Sequence, residues 1–159
     1  MPFRVKQRPL GWTDGAPVRI VHHLDLACSA AEAFAVLADH ERWPAWFGGM
    51  RRARVDGAAT GVGARRTVWV GATQVVEEFV VWEPERRLVF DIVRSNAPGI
   101  GAMTEDWLLT STGADMCRLD VLVAAEPARL LRRFPGLLRA ILSRATAGAT
   151  GIQQHVARG

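Results

Sequence analysis

The chain of 159 residues has no tyrosine, a single lysine (Lys6) and only two cysteines, Cys28 and Cys117. Neither cysteine belongs to a CxxC pair or has a histidine at ligand spacing, which argues against a zinc site and a disulfide framework. Both read as small buried residues. Long apolar runs are missing too: charged residues interrupt every stretch well short of the roughly 18 residues that a membrane helix needs. The opening MPFRVKQRPLGW is basic but has no apolar core behind it, so it does not read as a secretory leader. HExxH, P-loop and GxGxxG patterns are absent, and Gly61-Val62-Gly63 reads as a turn rather than a phosphate cradle. A single soluble, cytoplasmic domain with no metal and no cofactor is the expectation.

The charge that is present is lopsided in type rather than in place. Nineteen arginines and Lys6 face eight aspartates and eight glutamates, for a net charge of +4. The arginines come as scattered pairs, Arg51-Arg52, Arg65-Arg66, Arg86-Arg87 and Arg132-Arg133, with no basic run of five to eight residues. Together with abundant alanine and glycine, this pattern reads as the codon usage of a GC-rich genome. No nucleic-acid partner is expected. Hydrophobic residues make up 49% of the chain, enough for a packed core and too many for disorder.

Residues 1–17 carry Pro2, Pro9, Gly11, Gly15 and Pro17 and read as an extended arm before a domain at 18–157. Val18 to Leu26 alternates with a period of two, the mark of a strand. Ser29 with Glu32 forms a capping box that opens a helix bearing Phe34 and Leu37. HERWPAWF at 40–47 suggests a second short helical piece, interrupted at Pro44. A meander of six strands follows, punctuated by Gly57–Gly63, Gly71-Ala72, Glu83–Arg86, Ser95–Gly101 and Thr112–Ala114. From Leu130 to Val156 apolar residues recur three or four apart, a helical stripe that Pro135-Gly136 should split. Strand, two helices, six strands and a long helix make an α+β chain whose antiparallel sheet is covered on one face.

The two-residue connection at Gly71-Ala72 fixes a register. It sets Arg65 opposite Glu78 and Arg66 opposite Glu77, two cross-strand ion pairs on opposite faces of the sheet. One pair must face the concave side, and periodicity alone leaves open which. Glu105, Trp107 and Leu109 share a face of a later strand, and Glu105, if it points inward, would be an enclosed carboxylate with a raised pKa. His22 reads as a core histidine. His40 and His155 have no carboxylate or nucleophile spaced to complete a triad.

The element order, with LDLACSAAEAFAVLADHERWPAWF at 24–47, GVGARRTV at 61–68, FVVWEPERRLVF at 79–90 and EDWLLTSTGADMCRLDVLV at 105–123, resembles the START-like (Bet v 1-like, SRPBCC) superfamily. More narrowly, it is similar to the bacterial polyketide cyclase/dehydrase and lipid-transport group. The resemblance implies a helix-grip fold: a curved antiparallel sheet of about seven strands wrapped around a long C-terminal helix, two short helices after the first strand, and a cavity between. It favours the Arg65–Glu78 pair as the concave one, because the family's cavity side continues toward Trp82, Phe90 and Trp107. The ligand-binding set it implies is Trp46, Met50, Arg65, Glu78, Trp82, Phe90, Glu105 and Trp107, with no catalytic residue assigned. Trp43 reads as structural, with Trp46 and Phe47 closing the mouth.

The function so implied is binding of a small hydrophobic molecule such as a polyketide, an isoprenoid or a lipid. An aromatase/cyclase promoting aldol closure and dehydration is the alternative, and a co-chaperone-like partner module a further one; a homodimer stays open. Cyclases of this type carry a tyrosine shortly after the WPxxF segment, and a serine and an arginine on the strand before the first proline turn. Here Gly48, Gly49 and Met50 stand where the tyrosine would be, and Val80 and Trp82 where the other two align. Catalysis would therefore fall to Arg65, Glu78 or Glu105.

Overall fold

The computed structural model describes residues 2–158. Its frame is a curled antiparallel sheet with the strand order β2-β8-β7-β6-β5-β4-β3. The strands are β2 (Val18–Leu26), β3 (Met50–Val55), β4 (Arg65–Val70), β5 (Thr73–Glu83), β6 (Arg87–Ser95), β7 (Ile100–Gly113) and β8 (Met116–Pro127). A two-residue strand β1 (Phe3–Arg4) adds to β6. Every connection from β3 to β8 is a hairpin, which explains why turn residues in the sequence mark the strand boundaries so well.

Helix α1 (Ala30–Ala38) begins as its capping box dictates. Ser29 Oγ accepts from the Glu32 amide, and Glu32 Oε2 accepts from the Ser29 amide at 2.8 Å. It buries Ala33, Phe34 and Leu37. A 3-10 turn at His40–Ala45 follows, with Pro44 inside it. At the far end of the chain, α2 (Pro135–Thr146) and α3 (Gly151–Val156) run on through a 3-10 turn at Ala147–Thr150. Pro135 stands in the first turn of α2, where its missing N–H matters least, rather than kinking the helix from within.

That 3-10 turn sits against the segment after α1. A Cβ on Gly148 would meet the Phe47 ring at 2.7 Å and overlap the Gly48 carbonyl oxygen, and one on Gly151 would overlap the Trp46 carbonyl. The Gly48 amide donates to the Gly148 carbonyl at 3.1 Å. Glycine at 148 therefore serves close packing of backbone on backbone and leaves no room for a ligand at that point.

The apolar stripe expected over Leu130, Phe134, Leu137, Ile141 and Ile152 faces inward only at its end: Ile152 is buried, Leu130, Phe134, Leu137 and Ile141 are exposed, and α2 buries the neighbouring Leu138 and Leu142 instead. On the outer face of the sheet the N-terminal arm makes a 3-10 turn at Leu10–Gly15, and Trp12 Nε1 donates to Thr104 Oγ1 at 3.0 Å. Cys28 and Cys117 are free, buried and side by side, and burial pushes the Cys28 thiol up to about 11.

Candidate ligand cavity

Between the concave face and α2 lies a cavity of about 330 Å³. Its walls come from every layer: Trp43, Phe47 and Met50 from the segment after α1, Val68 and Val70 from β4, Val75 and Glu77 from β5, Phe90 and Ile92 from β6, Met103 and Glu105 from β7, and Leu138, Leu142 and Thr146 from α2. Thr73 of β5, Ala97, Pro98 and Gly99 of the β6–β7 loop, Ile100 of β7, Leu131, and Ile141 and Ala145 of α2 complete the lining. Besides Trp43, the polar side chains of the lining are Thr73, Glu77, Glu105 and Thr146, and the Thr146 hydroxyl already donates to the Leu142 carbonyl at 2.8 Å. Trp43 spends its indole N–H on the Leu37 carbonyl at 2.9 Å.

The register derived from Gly71-Ala72 is the register observed, with Val70 opposite Thr73, Arg65 opposite Glu78 and Arg66 opposite Glu77. Gly71 takes φ +56°, the left-handed conformation that such a tight turn demands. The face, however, is the reverse of the one expected. Arg66 and Glu77 point inward, with side chains 0% and 6% exposed, while Arg65 and Glu78 stand outside at 56% and 21%. The outer pair meets at 2.5 Å in a polar depression shared with Arg4, Asp56 and Arg94. Arg65 and Glu78 are therefore not cavity residues.

A bulge is the physical reason. Phe79 pairs with Phe90 and Trp82 with Leu88, but the one residue between on β6, Val89, faces two on β5, Val80 and Val81. The extra residue shifts the alternation, so Phe79 and Trp82 share the inner face although three positions apart. Counting back from Trp82 in strict twos puts Glu78 inside; the bulge puts Glu77 there. Trp82 itself packs edge-on against Phe34, His40 and Phe79, and does not reach the cavity.

Of the remaining expected residues, Met50, Phe90 and Glu105 line the cavity. Trp107 stands behind the wall, 4.9 Å from the ring of Trp43, where its indole donates to Glu105 Oε2 at 3.0 Å. Trp46 does not reach the cavity either: it is buried behind the wall, 4.7 Å from the ring of Trp43 and 6.2 Å from that of Trp107, and its far side borders a shallow outer depression beside Val36, Arg42 and His155. Trp43, expected to be purely structural, forms wall instead, as does Phe47.

The polar end of the cavity is a compact cluster. Arg66 Nε donates to Glu77 Oε2, and its Nη1 lies 3.2 Å from His40 Nδ1, which accepts as a neutral imidazole. The guanidinium lies 3.6 Å from the centre of the Trp43 ring and 4.9 Å from that of Phe90, a buried cation held between aromatic faces. Burial, reinforced by the Arg66 charge, takes His40 down to about 3. Burial also raises Glu77, with the neighbouring Arg66 opposing. Glu105 rises to about 7, first from desolvation and then from the charge of Glu77, against the Trp107 hydrogen bond and Arg66. The cluster thus sets one guanidinium beside two carboxyls, both of which burial pushes toward their neutral forms while Arg66 opposes the shift.

Sequence reasoning paired Arg66 with Glu77 but favoured the other pair for the cavity, and missed His40; one signal could have chosen the right pair. The face holding Ala64, Arg66, Val68, Val70, Val75, Glu77 and Phe79 is the more apolar of the alternatives. His40 carries no such signal, because its burial depends on Phe79, 4.8 Å away and distant in sequence.

A family model for polyketide cyclase/dehydrase and lipid transport matches residues 17–157. An uncharacterised protein of Mycobacterium tuberculosis H37Rv is 33% identical over 125 residues, covering 76% of this chain and 74% of its own. Among solved structures, the Zhui aromatase/cyclase of a Streptomyces species superposes with a TM-score of 0.73 at 17% identity, covering 88% of this chain and 93% of that one. A START superfamily protein of Mycobacterium smegmatis gives a TM-score of 0.63 at 11% identity over 87% and 98%. Norcoclaurine synthase of Thalictrum flavum gives 0.69 at 16% over 97% and 95%. At these identities the structural likeness concerns the fold.

Proposed function

Because the chain belongs to the polyketide cyclase/dehydrase and lipid-transport family, we propose that it binds a compact hydrophobic molecule bearing one polar, hydrogen-bonding end. The observation that carries this reading is the asymmetry of the cavity, which is apolar around its walls and ends on the Glu77 and Glu105 carboxyls. Removing apolar ligand surface from water supplies the affinity, at about 25 cal/mol per Å². Glu105 fixes orientation: protonated, it donates to a ligand carbonyl or phenolate; ionised, it accepts from a hydroxyl. At about 330 Å³ the space stands at the small end of the range of about 300–1000 Å³ for small-molecule sites. That favours a small cyclic ligand over a two-chain lipid.

Native mass spectrometry of protein isolated from its own host tests this reading. A retained apolar compound, lost on denaturation and absent from a cavity-filling Val75→Trp variant, is the expected result. An empty protein whose tryptophan fluorescence no panel of polycyclic phenols and ketones quenches would overturn it.

One observation favours a cyclase/dehydrase as the second reading. A carboxyl titrating at about 7 inside a water-poor cavity is matched to general acid–base work at neutral pH. It would give its proton to the ketone oxygen as the carbon–carbon bond forms, then as a carboxylate take the α-proton and pass it to the departing hydroxyl, which leaves as water. Under that reading Glu105→Gln retains ligand but abolishes turnover of a poly-β-ketone substrate; under simple carriage no turnover exists to lose.

A further inference from the structure

From Pro127 to Gly159 the sequence contains six arginines and no aspartate or glutamate. The same region leaves apolar side chains in water. Leu130 is 82% exposed, Phe134 59%, Leu137 51% and Ile141 52%. Leu137 and Ile141 stand one turn apart on α2, and Phe134, the residue at its N-cap whose carbonyl accepts from the Leu137 amide, continues their exposed apolar ridge beyond the start of the helix. The helix buries a neighbouring ridge, Leu138 and Leu142, against the sheet. Its apolar arc is thus wider than the core needs, and the surplus half faces outward.

The position of this surplus is informative. Ile141 belongs both to the exposed ridge and to the cavity lining, and Leu131, in the turn before α2, packs against Gly99 of the β6–β7 loop. The ridge is therefore the outer continuation of the cavity mouth. Arg129 and Arg133 stand exposed beside it, and Arg144 lies two turns along α2 from Leu137. Of the arginines around the ridge, Arg132 has a carboxylate partner among the described residues, Glu126 at 3.9 Å.

We infer that this ridge docks on the interface of an anionic lipid membrane and turns the cavity mouth toward the bilayer. An apolar ridge flanked by arginines is the composition of a helix lying in the headgroup region, apolar residues among the acyl chains and cations among the lipid phosphates. Charge argues against a second copy as occupant, since a two-fold contact would bring two sets of unpaired arginines together. An acidic protein partner would satisfy the arginines, but would need an apolar groove matched to the ridge; a bilayer needs none. The inference stands apart from the ligand's identity, because docking requires no ligand.

Sedimentation of the full chain with vesicles of phosphatidylcholine, with and without phosphatidylglycerol, tests it. Binding to the anionic vesicles should exceed binding to the neutral ones by about tenfold or more, and fall as salt rises. Arg129→Gln and Arg133→Gln should each weaken it about fivefold. Phe134→Gln with Leu137→Gln should weaken it about tenfold, while ligand retention in native mass spectrometry is unchanged, since none of these four residues lines the cavity. Failure to bind anionic vesicles would overturn the inference, as would binding that ignores these substitutions. A dimer in light scattering that Phe134→Gln with Leu137→Gln dissociates would overturn it in favour of a second copy. Salt-sensitive capture of an acidic protein without vesicle binding would overturn it in favour of that partner.

Discussion

Two ion pairs of the same chemistry lie side by side on strands β4 and β5, separated by the thickness of the sheet. Arg65–Glu78 faces water, with side chains 56% and 21% exposed; Arg66–Glu77 faces the cavity, with side chains 0% and 6% exposed. The outer pair works in a high dielectric, where attraction and desolvation nearly cancel. The inner pair has given up hydration at both partners and is left with each other, an imidazole and aromatic faces. What the pairs teach is that identical residue types in identical cross-strand register take their consequences from the face they occupy.

The largest test of that difference removes one carboxylate from each pair. Glu77→Gln leaves the Arg66 guanidinium buried beside a neutral amide and should destabilise the fold by about 3–5 kcal/mol. Glu78→Gln should stay under about 1 kcal/mol. Urea unfolding of the two variants provides the comparison, and equal losses would break it. Glu105 adds a refinement. Without the Glu77 charge, one of the causes holding Glu105 at about 7 is gone. Glu105 should then ionise at lower pH and take over as partner of Arg66, so the Glu77→Gln loss is greater in acid than in alkali.

A second test reads the titration of Glu105 through stability. Between the ordinary value of 4.5 and about 7 the unfolded chain has released this proton while the folded chain keeps it. Stability from this group therefore falls as pH rises through that window, by roughly 3 kcal/mol at about 1.4 kcal/mol per unit. His40 works in the opposite direction. Held neutral down to about 3, it removes stability as pH falls below 6.5. The two contributions overlap, so the informative quantity is wild type minus Glu105→Gln, measured from pH 4 to pH 8. That difference should decline with rising pH; a flat difference would place Glu105 in water rather than in the cavity.

Much of the fold was legible before any coordinates. The capping box, the hairpin turns, the alternation of β2 and the Gly71-Ala72 register are local signals, and each depends on residues close together in the chain. The site was less legible because its decisive feature is a one-residue irregularity. No glycine, proline or charge marks the Val80-Val81 bulge in FVVWE, yet it decides which glutamate enters the cavity. Glu105 and Met50 were accessible from alternation and from their place after the WPAWF segment. Trp46 and Trp43 were not separated by any local rule. The 3-10 turn at His40–Ala45 brings Trp43 to the cavity wall and leaves Trp46 buried behind it.

The third test asks whether the inner pair is kept for stability or for the ligand. Replacing both partners at once, Arg66→Met with Glu77→Leu, removes the desolvation penalty along with the attraction. Stability within about 1–2 kcal/mol of wild type is expected, since apolar replacement of a buried pair is often neutral or better. Ligand retention should weaken, because Glu105 alone is left at the polar end of the cavity. Loss of stability as large as that of Glu77→Gln alone would mean that the pair is structural, and that His40 and Trp43 depend on it.

The smallest effect belongs to the outer pair, and it is the control on which the comparison rests. Arg65→Gln with Glu78→Gln removes two charges at 2.5 Å and leaves the inner face untouched. Both side chains are solvated before and after, so the change should stay within about 1 kcal/mol and shrink further as salt screens the wild-type pair. Ligand retention should be unaltered, since neither residue reaches the cavity. A loss of ligand from this variant would mean that the face assignment is wrong, because residues on the convex side can reach the cavity contents only through the backbone of β4 and β5. The bulge would then have to slip, moving Glu78 inward and Glu77 out, and Phe79 would leave the ring of aromatic side chains that now holds His40 and Phe90. Exposing so large an apolar group costs several times what the outer pair can contribute, which is why the observed register prevails.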